Sequence, residues 1–146
     1  MNLSVLFTNF LIMIQSDEPI ILPNQVICPS VTLEESGYAF RFQIKAQDIQ
    51  AWVGTALHRL DHTHPAFVFR FRGQVYAYLN RCAHVAMEMD WKQGDFFSDD
   101  KCYLVCATHD AHYEPHTGKC ISGPCPKGAA LVNIPIYEKD GDIYLA

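Results

Sequence analysis

Between residues 81 and 120 the chain reads RCAHVAMEMDWKQGDFFSDDKCYLVCATHDAHYEPHTGKC, and no other part of it constrains the fold so tightly. A Cys-x-His pair, Cys82 and His84, is followed after 21 residues by a Cys-x-x-His pair, Cys106 and His109. Two thiolates and two imidazoles make a complete four-ligand set for a metal, so the two segments are expected side by side. Zinc takes such a set, and a Cys₂His₂ zinc site is a fair rival. Zinc fingers, however, usually place two cysteines on one knuckle and two histidines on a helix. Here each segment carries one of each and each follows a strand pattern. That arrangement suits a two-metal centre, with the soft thiolates on one iron and the imidazoles on the other.

The pattern around these pairs is mostly β. Residues Gly37 to Ile44 alternate with period two and predict a strand. PAFVFRF and QVYAYLN flank Arg72-Gly73, a tight hairpin, and LVNIPIYE and DIYLA flank Lys139-Asp140-Gly141, a second one. KCYLVC is a short strand leading into the second pair. Ile49, Trp52, Val53, Ala56, Leu57 and Leu60 fall at helical spacing, which predicts an amphipathic helix over Asp48–Leu60 despite Gly54. Many short strands with turn chemistry between them predict an all-β fold, a small antiparallel sandwich or barrel with one inserted helix.

A chain of 146 residues is one domain by the usual prior, with enough length to bury a core. The net charge of −5, with no basic stripe interleaved with aromatics, argues against nucleic acid as a partner. The opening MNLSVLFTNFLIMI is apolar but shorter than the roughly 20 residues a membrane span needs. It also lacks the basic start and small-residue cleavage site of a secretory signal. Residues 1–18 are therefore read as an apolar arm packing on the domain or a partner, or as a leader upstream of Met13. Residues 19–146 are read as a single domain, in the cytoplasm, where cysteines serve more often as metal ligands or free thiols than as disulfides.

Cys82-Ala83-His84 and Cys106-Ala107-Thr108-His109 resemble the two ligand loops of Rieske-type [2Fe–2S] proteins. HDAHYEPHTG is similar to the segment after the second histidine in that family, Gly123 to Pro126 resembles its proline loop, and IPIYEKDGDIYL is similar to its terminal hairpin. The resemblance covers about residues 65–146. It implies a Rieske-like all-β domain whose cluster-binding subdomain runs over about residues 80–129. It also implies that Cys82 and Cys106 hold an inner iron of a [2Fe–2S] cluster, and His84 and His109 the outer, reducible one. Tyr113 matches a tyrosine expected to donate to the Cys106 sulfur, and Asp110, Pro124 and Cys125 are the other expected cluster-tuning positions.

The chain also departs from the family. Asp110 stands where glycine is common; aspartate tolerates a left-handed backbone, and its charge is expected to lower the potential. Ala111 stands where high-potential members carry serine, and Met87 and Thr108 lie near where their loop-bridging cysteines sit. An intermediate or low potential follows. Cys120 and Cys125 can close a small disulfide loop, but free thiols are the expectation in the cytoplasm. Cys28 and Cys102 are read as small core residues. His58, His62, His64, His112 and His116 are read as solvated surface histidines.

No Gly-rich nucleotide loop and no second histidine–carboxylate set for mononuclear iron is apparent. The resemblance therefore implies an electron carrier with protein redox partners, a reductase and an oxygenase or other oxidoreductase. The alternative is an accessory Rieske subunit or redox-sensing interaction module of a larger complex.

Overall fold

The computed structural model describes residues 18–49 and 62–146. The helix expected over Asp48–Leu60 and the arm expected over residues 1–18 lie outside the described residues, save Glu18 and a short 3₁₀ turn at Ala46–Asp48 that ends on buried Ile49. Among the described residues ten strands follow in chain order: β1 (Ile20–Ile21), β2 (Val26–Pro29), β3 (Phe40–Lys45), β4 (Thr63–Phe71), β5 (Gln74–Leu79), β6 (Leu104–Val105), β7 (His112–Tyr113), β8 (Cys120–Ser122), β9 (Ile136–Lys139) and β10 (Asp142–Leu145). They build a four-stranded sheet β1-β3-β4-β5, a three-stranded sheet β2-β10-β9 and a small three-stranded sheet β6-β7-β8. The pairings are antiparallel except β1 with β3, which is parallel.

Both expected hairpins are present. Arg72 and Gly73 sit at φ 50° and 79°, and Asp140 and Gly141 at φ 51° and 82°. Two successive left-handed residues match the right-handed twist of the strands they join, so each two-residue turn closes without splaying them. The strand expected from Gly37 begins only at Phe40, because Ala39 instead donates its amide to the Gly94 carbonyl.

Strand β4 explains why its sequence reads as nearly continuous apolar rather than alternating: it is buried on both faces. Ala66 and Val68 point into one core with Phe42, Ile44, Leu79, Ile134, Ile143 and Leu145, between the two larger sheets. Phe67, Phe69 and Phe71 point the other way, into a second core with Tyr78, Met89, Phe96, Phe97 and Leu104. Strand β5 divides likewise, with Ala77 and Leu79 on one side and Tyr78 on the other. The second core is an aromatic layer: the Phe67 and Phe96 rings stack with centroids 3.8 Å apart. Cys82, Cys106 and Tyr113 belong to it, so the aromatic layer forms the floor beneath the two Cys/His segments.

Candidate metal centre

The first segment leaves β5 at Asn80. This side chain is 2% exposed and holds the neck of the loop closed: Oδ1 accepts the Met89 amide at 2.9 Å, while Nδ2 donates to Asp90 Oδ1 at 2.8 Å. The other Asp90 oxygen accepts the Gly94 amide and Arg41 Nη1. Arg41, on β3, also pairs with Glu18 at 2.6 Å and Glu88 at 2.7 Å. A buried carboxylate is costly unless paired and hydrogen-bonded, and Asp90 is both. Between the necks, the Cys82 amide donates to the Met87 carbonyl, folding the loop back on itself.

The second segment leaves β6. Its turn is closed by the Cys106 amide on the Ala111 carbonyl and the Asp110 amide on the Cys106 carbonyl, each at 2.9 Å. Asp110 sits at φ 62°, the left-handed conformation its position demands, so aspartate serves here. The two loops are tied directly, since the Ala107 amide donates to the Met89 carbonyl. Asn80, Asp90 and Arg41 are the residues the sequence did not expose. The polar Asn80 ending an apolar strand was a signal, but its partners lie too far along the chain to be read locally.

This arrangement brings the expected ligand side chains together in two pairs, Cys82 with Cys106 and His84 with His109. Cys82 and Cys106 are buried, with their sulfurs within hydrogen-bonding reach of one another. The rings of His84 and His109 lie edge to face, centroids 5.0 Å apart, with His84 half-buried and His109 exposed. His84 Nδ1 is buried without a hydrogen-bond partner. Among the described residues, no three His, Cys, Asp or Glu side chains converge on one point as a mononuclear site requires. The four are disposed as a pair of sulfurs and a pair of imidazoles.

The electrostatics separate the two thiols. Burial opposes ionisation of Cys82, but the Tyr113 hydroxyl, the Val85 and His84 amides and the Cys106 thiol outweigh it, so its pKa is lowered. Burial dominates at Cys106 and raises its pKa, with the Thr108 and His109 amides working against it. Backbone amides thus point at both sulfurs; at Cys82 the donors around the sulfur outweigh burial and favour negative charge, whereas at Cys106 burial outweighs them.

Tyr113 corrects one expectation. Its hydroxyl lies 3.2 Å from Cys82 Sγ, not against Cys106, because β7 carries the ring beneath the first loop. The Ala83 amide donates to the same oxygen at 3.0 Å, and Cys125 Sγ is 3.5 Å from it. Burial and the Cys82 sulfur push the phenol pKa up, so it stays protonated. Cys120 and Cys125 are a second correction: they form a disulfide, their Cα atoms 6.4 Å apart, within the span such a bond bridges. The third is Cys102, which is exposed, since the strand after it begins only at Leu104; Cys28 is buried as expected. Pro124 is exposed at the tip of the disulfide loop. His62 and His116 are exposed, whereas His112 is half-buried, bonding the Asp110 carbonyl through Nδ1, and His64 is half-buried too; His58 lies outside the described residues.

Solved structures share this fold at low sequence identity. The Sphingomonas yanoikuyae B1 ferredoxin is 15% identical with a TM-score of 0.56, over 84% of this chain and 96% of that one. The ferredoxin of carbazole 1,9a-dioxygenase from Nocardioides aromaticivorans IC177 is 18% identical with a TM-score of 0.58, over 86% and 98%. The terminal oxygenase of carbazole 1,9a-dioxygenase from Novosphingobium sp. KA1 is 20% identical with a TM-score of 0.55, over 85% of this chain but 28% of that one. Comparison with curated proteins gave no match. The family model for the Rieske [2Fe-2S] domain matches residues 24–138, a span holding both Cys/His loops, the tyrosine beneath them and the loop that follows. The chain belongs to the Rieske [2Fe-2S] domain family.

Proposed function

We propose that this chain is a one-electron carrier that holds a [2Fe–2S] cluster between its two loops and passes electrons between a reductase and an oxygenase or other oxidoreductase. The observation that carries the reading is the division of the donor set: two buried sulfurs met by backbone amides, and two imidazoles on the outer side. Cys82 and Cys106 would hold one iron of the cluster and His84 and His109 the other. The unpartnered His84 Nδ1 suits that role, since a buried imidazole nitrogen without a partner is costly unless something binds its lone pair. When bound, such a cluster supplies a single-electron couple, at about −150 to +300 mV for Rieske centres.

The chain's own groups do the rest. Tyr113 donates its hydroxyl hydrogen to Cys82 Sγ and draws charge off it. The aromatic floor keeps water from the sulfurs, while His109 is exposed on the open side of the centre. Residues 80–129 act as the cluster-binding subdomain on a base formed by the two larger sheets, and the cytoplasm is its place of work. Among the described residues no helix is long and apolar enough to cross a membrane. The likeness to the ferredoxin of carbazole 1,9a-dioxygenase supports an oxygenase as the electron acceptor.

The test is metal and acid-labile sulfide analysis with an EPR spectrum of the dithionite-reduced protein. Two irons, two sulfides and a Rieske-type signal are expected. One zinc with no sulfide would replace the electron carrier with a structural metal domain.

A further inference from the structure

The loop from Cys120 to Cys125 touches the second Cys/His loop and the tyrosine that reaches the first. Gly123, at φ 92°, lies so close to the second that a Cβ there would meet Ala111 Cα at 2.8 Å and the Asp110 carbonyl at 3.1 Å. Cys125 Sγ lies 3.5 Å from the Tyr113 hydroxyl, which lies 3.2 Å from Cys82 Sγ on the first. The disulfide closes this loop, and the residues around it are open to solvent: Ile121, Ser122, Gly123, Pro124 and Pro126 are all exposed, with both cysteines half-buried.

We propose that the Cys120–Cys125 disulfide is a second redox site, opened by a dithiol reductant, whose state controls the hydrogen bond from Tyr113 to Cys82. The proposal rests on the cluster reading above. A thiolate of the dithiol attacks one sulfur of the pair, forms a mixed disulfide, and is released when its second thiol attacks in turn. The reductant leaves as its own disulfide, and Cys120 and Cys125 are left as thiols, two electrons and two protons having been transferred.

The structure gives this exchange a path to the centre. The Ala83 amide occupies one face of the Tyr113 oxygen, so the hydroxyl hydrogen has two sulfurs in reach, Cys82 and Cys125. A disulfide sulfur is a weak acceptor without charge, and the hydrogen goes to the Cys82 thiolate. Once the bond is open, Cys125 carries a thiol that competes for the tyrosine as donor and acceptor. The loop, no longer closed, also relaxes its contact through Gly123 with Ala111. Both changes weaken the donation to Cys82, and a thiolate that receives less hydrogen bonding stabilises the reduced centre less. Opening the bond therefore lowers the midpoint potential.

The experiment uses the full chain isolated in air and the same sample after anaerobic treatment with dithiothreitol and its removal. Each is unfolded and alkylated, and the labelled peptides are mapped by mass spectrometry. Iron, sulfide and the EPR-monitored midpoint potential are read in parallel. Expected are unlabelled Cys120 and Cys125 before treatment, both labelled after it, and a lower midpoint at unchanged iron and sulfide. Cys120→Ser, which leaves Cys125 beside Tyr113, should show the lower value throughout; Tyr113→Phe should show no dithiol-dependent shift. An unchanged midpoint with the bond shown to be open, or labelled cysteines from the outset, overturns the proposal. Should Cys120→Ser fail to fold, the treated and untreated wild type decide alone. Absence of iron and sulfide overturns the cluster reading and the proposal with it, and metal analysis separates that failure from the others.

Discussion

Single residues set the chemistry of the two loops. Tyr113 is the group that most directly touches a candidate ligand, and Tyr113→Phe removes only its hydroxyl. The expected outcome is a lower midpoint potential with the fold intact; a differential of about 1.4 kcal/mol corresponds to about 59 mV for a one-electron couple. Redox titration checks it, and an unchanged value would remove the hydroxyl from the tuning of the centre. Asp110 allows a test of opposite sign. Glycine accepts its φ of 62° without strain, so Asp110→Gly should keep the turn while removing a negative charge, and the potential should rise. Asp110→Ala should instead cost about 1–2 kcal/mol of stability, read by denaturant unfolding, because alanine has no side-chain compensation for that conformation. That the two Cys/His segments lie side by side was legible from their spacing, because ligand chemistry restricts residue types severely. The sulfur that Tyr113 reaches was not legible. That depends on which face of a two-residue strand the ring leaves, and β7 is too short for periodicity to show it.

At the level of elements, the hairpins and the long strands were readable because their turn residues and alternation are local. The sheet β6-β7-β8 was not, since two- and three-residue strands carry almost no pattern. Nor was the network that closes the first loop, because Arg41, Asn80 and Asp90 meet only after β3, β4 and β5 pair. Its weight can be measured. Asn80→Ala leaves the Met89 amide and one Asp90 oxygen without their partner in a buried setting. Each such loss costs about 1–3 kcal/mol, so stability in urea should fall by at least that much. Since Met89 also receives the Ala107 amide, the two loops should lose their fixed spacing, and a chelator should strip bound metal faster than from wild type. Stability and metal retention equal to wild type would show that the loops hold each other without it.

For the molecule as a whole, acid should loosen the base formed by the two larger sheets. Arg70 on β4 bonds the Leu33 and Gly73 carbonyls, Ser30 and Glu138. Glu35 has its pKa lowered, chiefly by the Gly73 amide, and Glu138 has its pKa lowered by the Ser30 hydroxyl and then Arg70. The folded state thus holds both carboxylates ionised more readily than the unfolded chain, whose glutamates take protons near the ordinary value of 4.5. Their contribution is whole above that value and is lost as pH falls through the lowered ones. Melting temperature should therefore drop more steeply below about pH 4.5 in wild type than in a Glu35→Gln, Glu138→Gln double variant. Equal slopes would assign the acid sensitivity elsewhere.

Strand β4 contributes Ala66 and Val68 to one core and Phe67, Phe69 and Phe71 to the other. The segment 80–129 looks like a detachable cassette when only the chain order is considered. Its underside, however, is made of rings that belong to a strand outside it. Cut out and grafted onto a foreign scaffold, it would arrive with Phe96, Leu104 and Tyr113 facing solvent. A working transplant has to carry β4 and β5 along, and those strands bring their other face, and hence the whole base, with them.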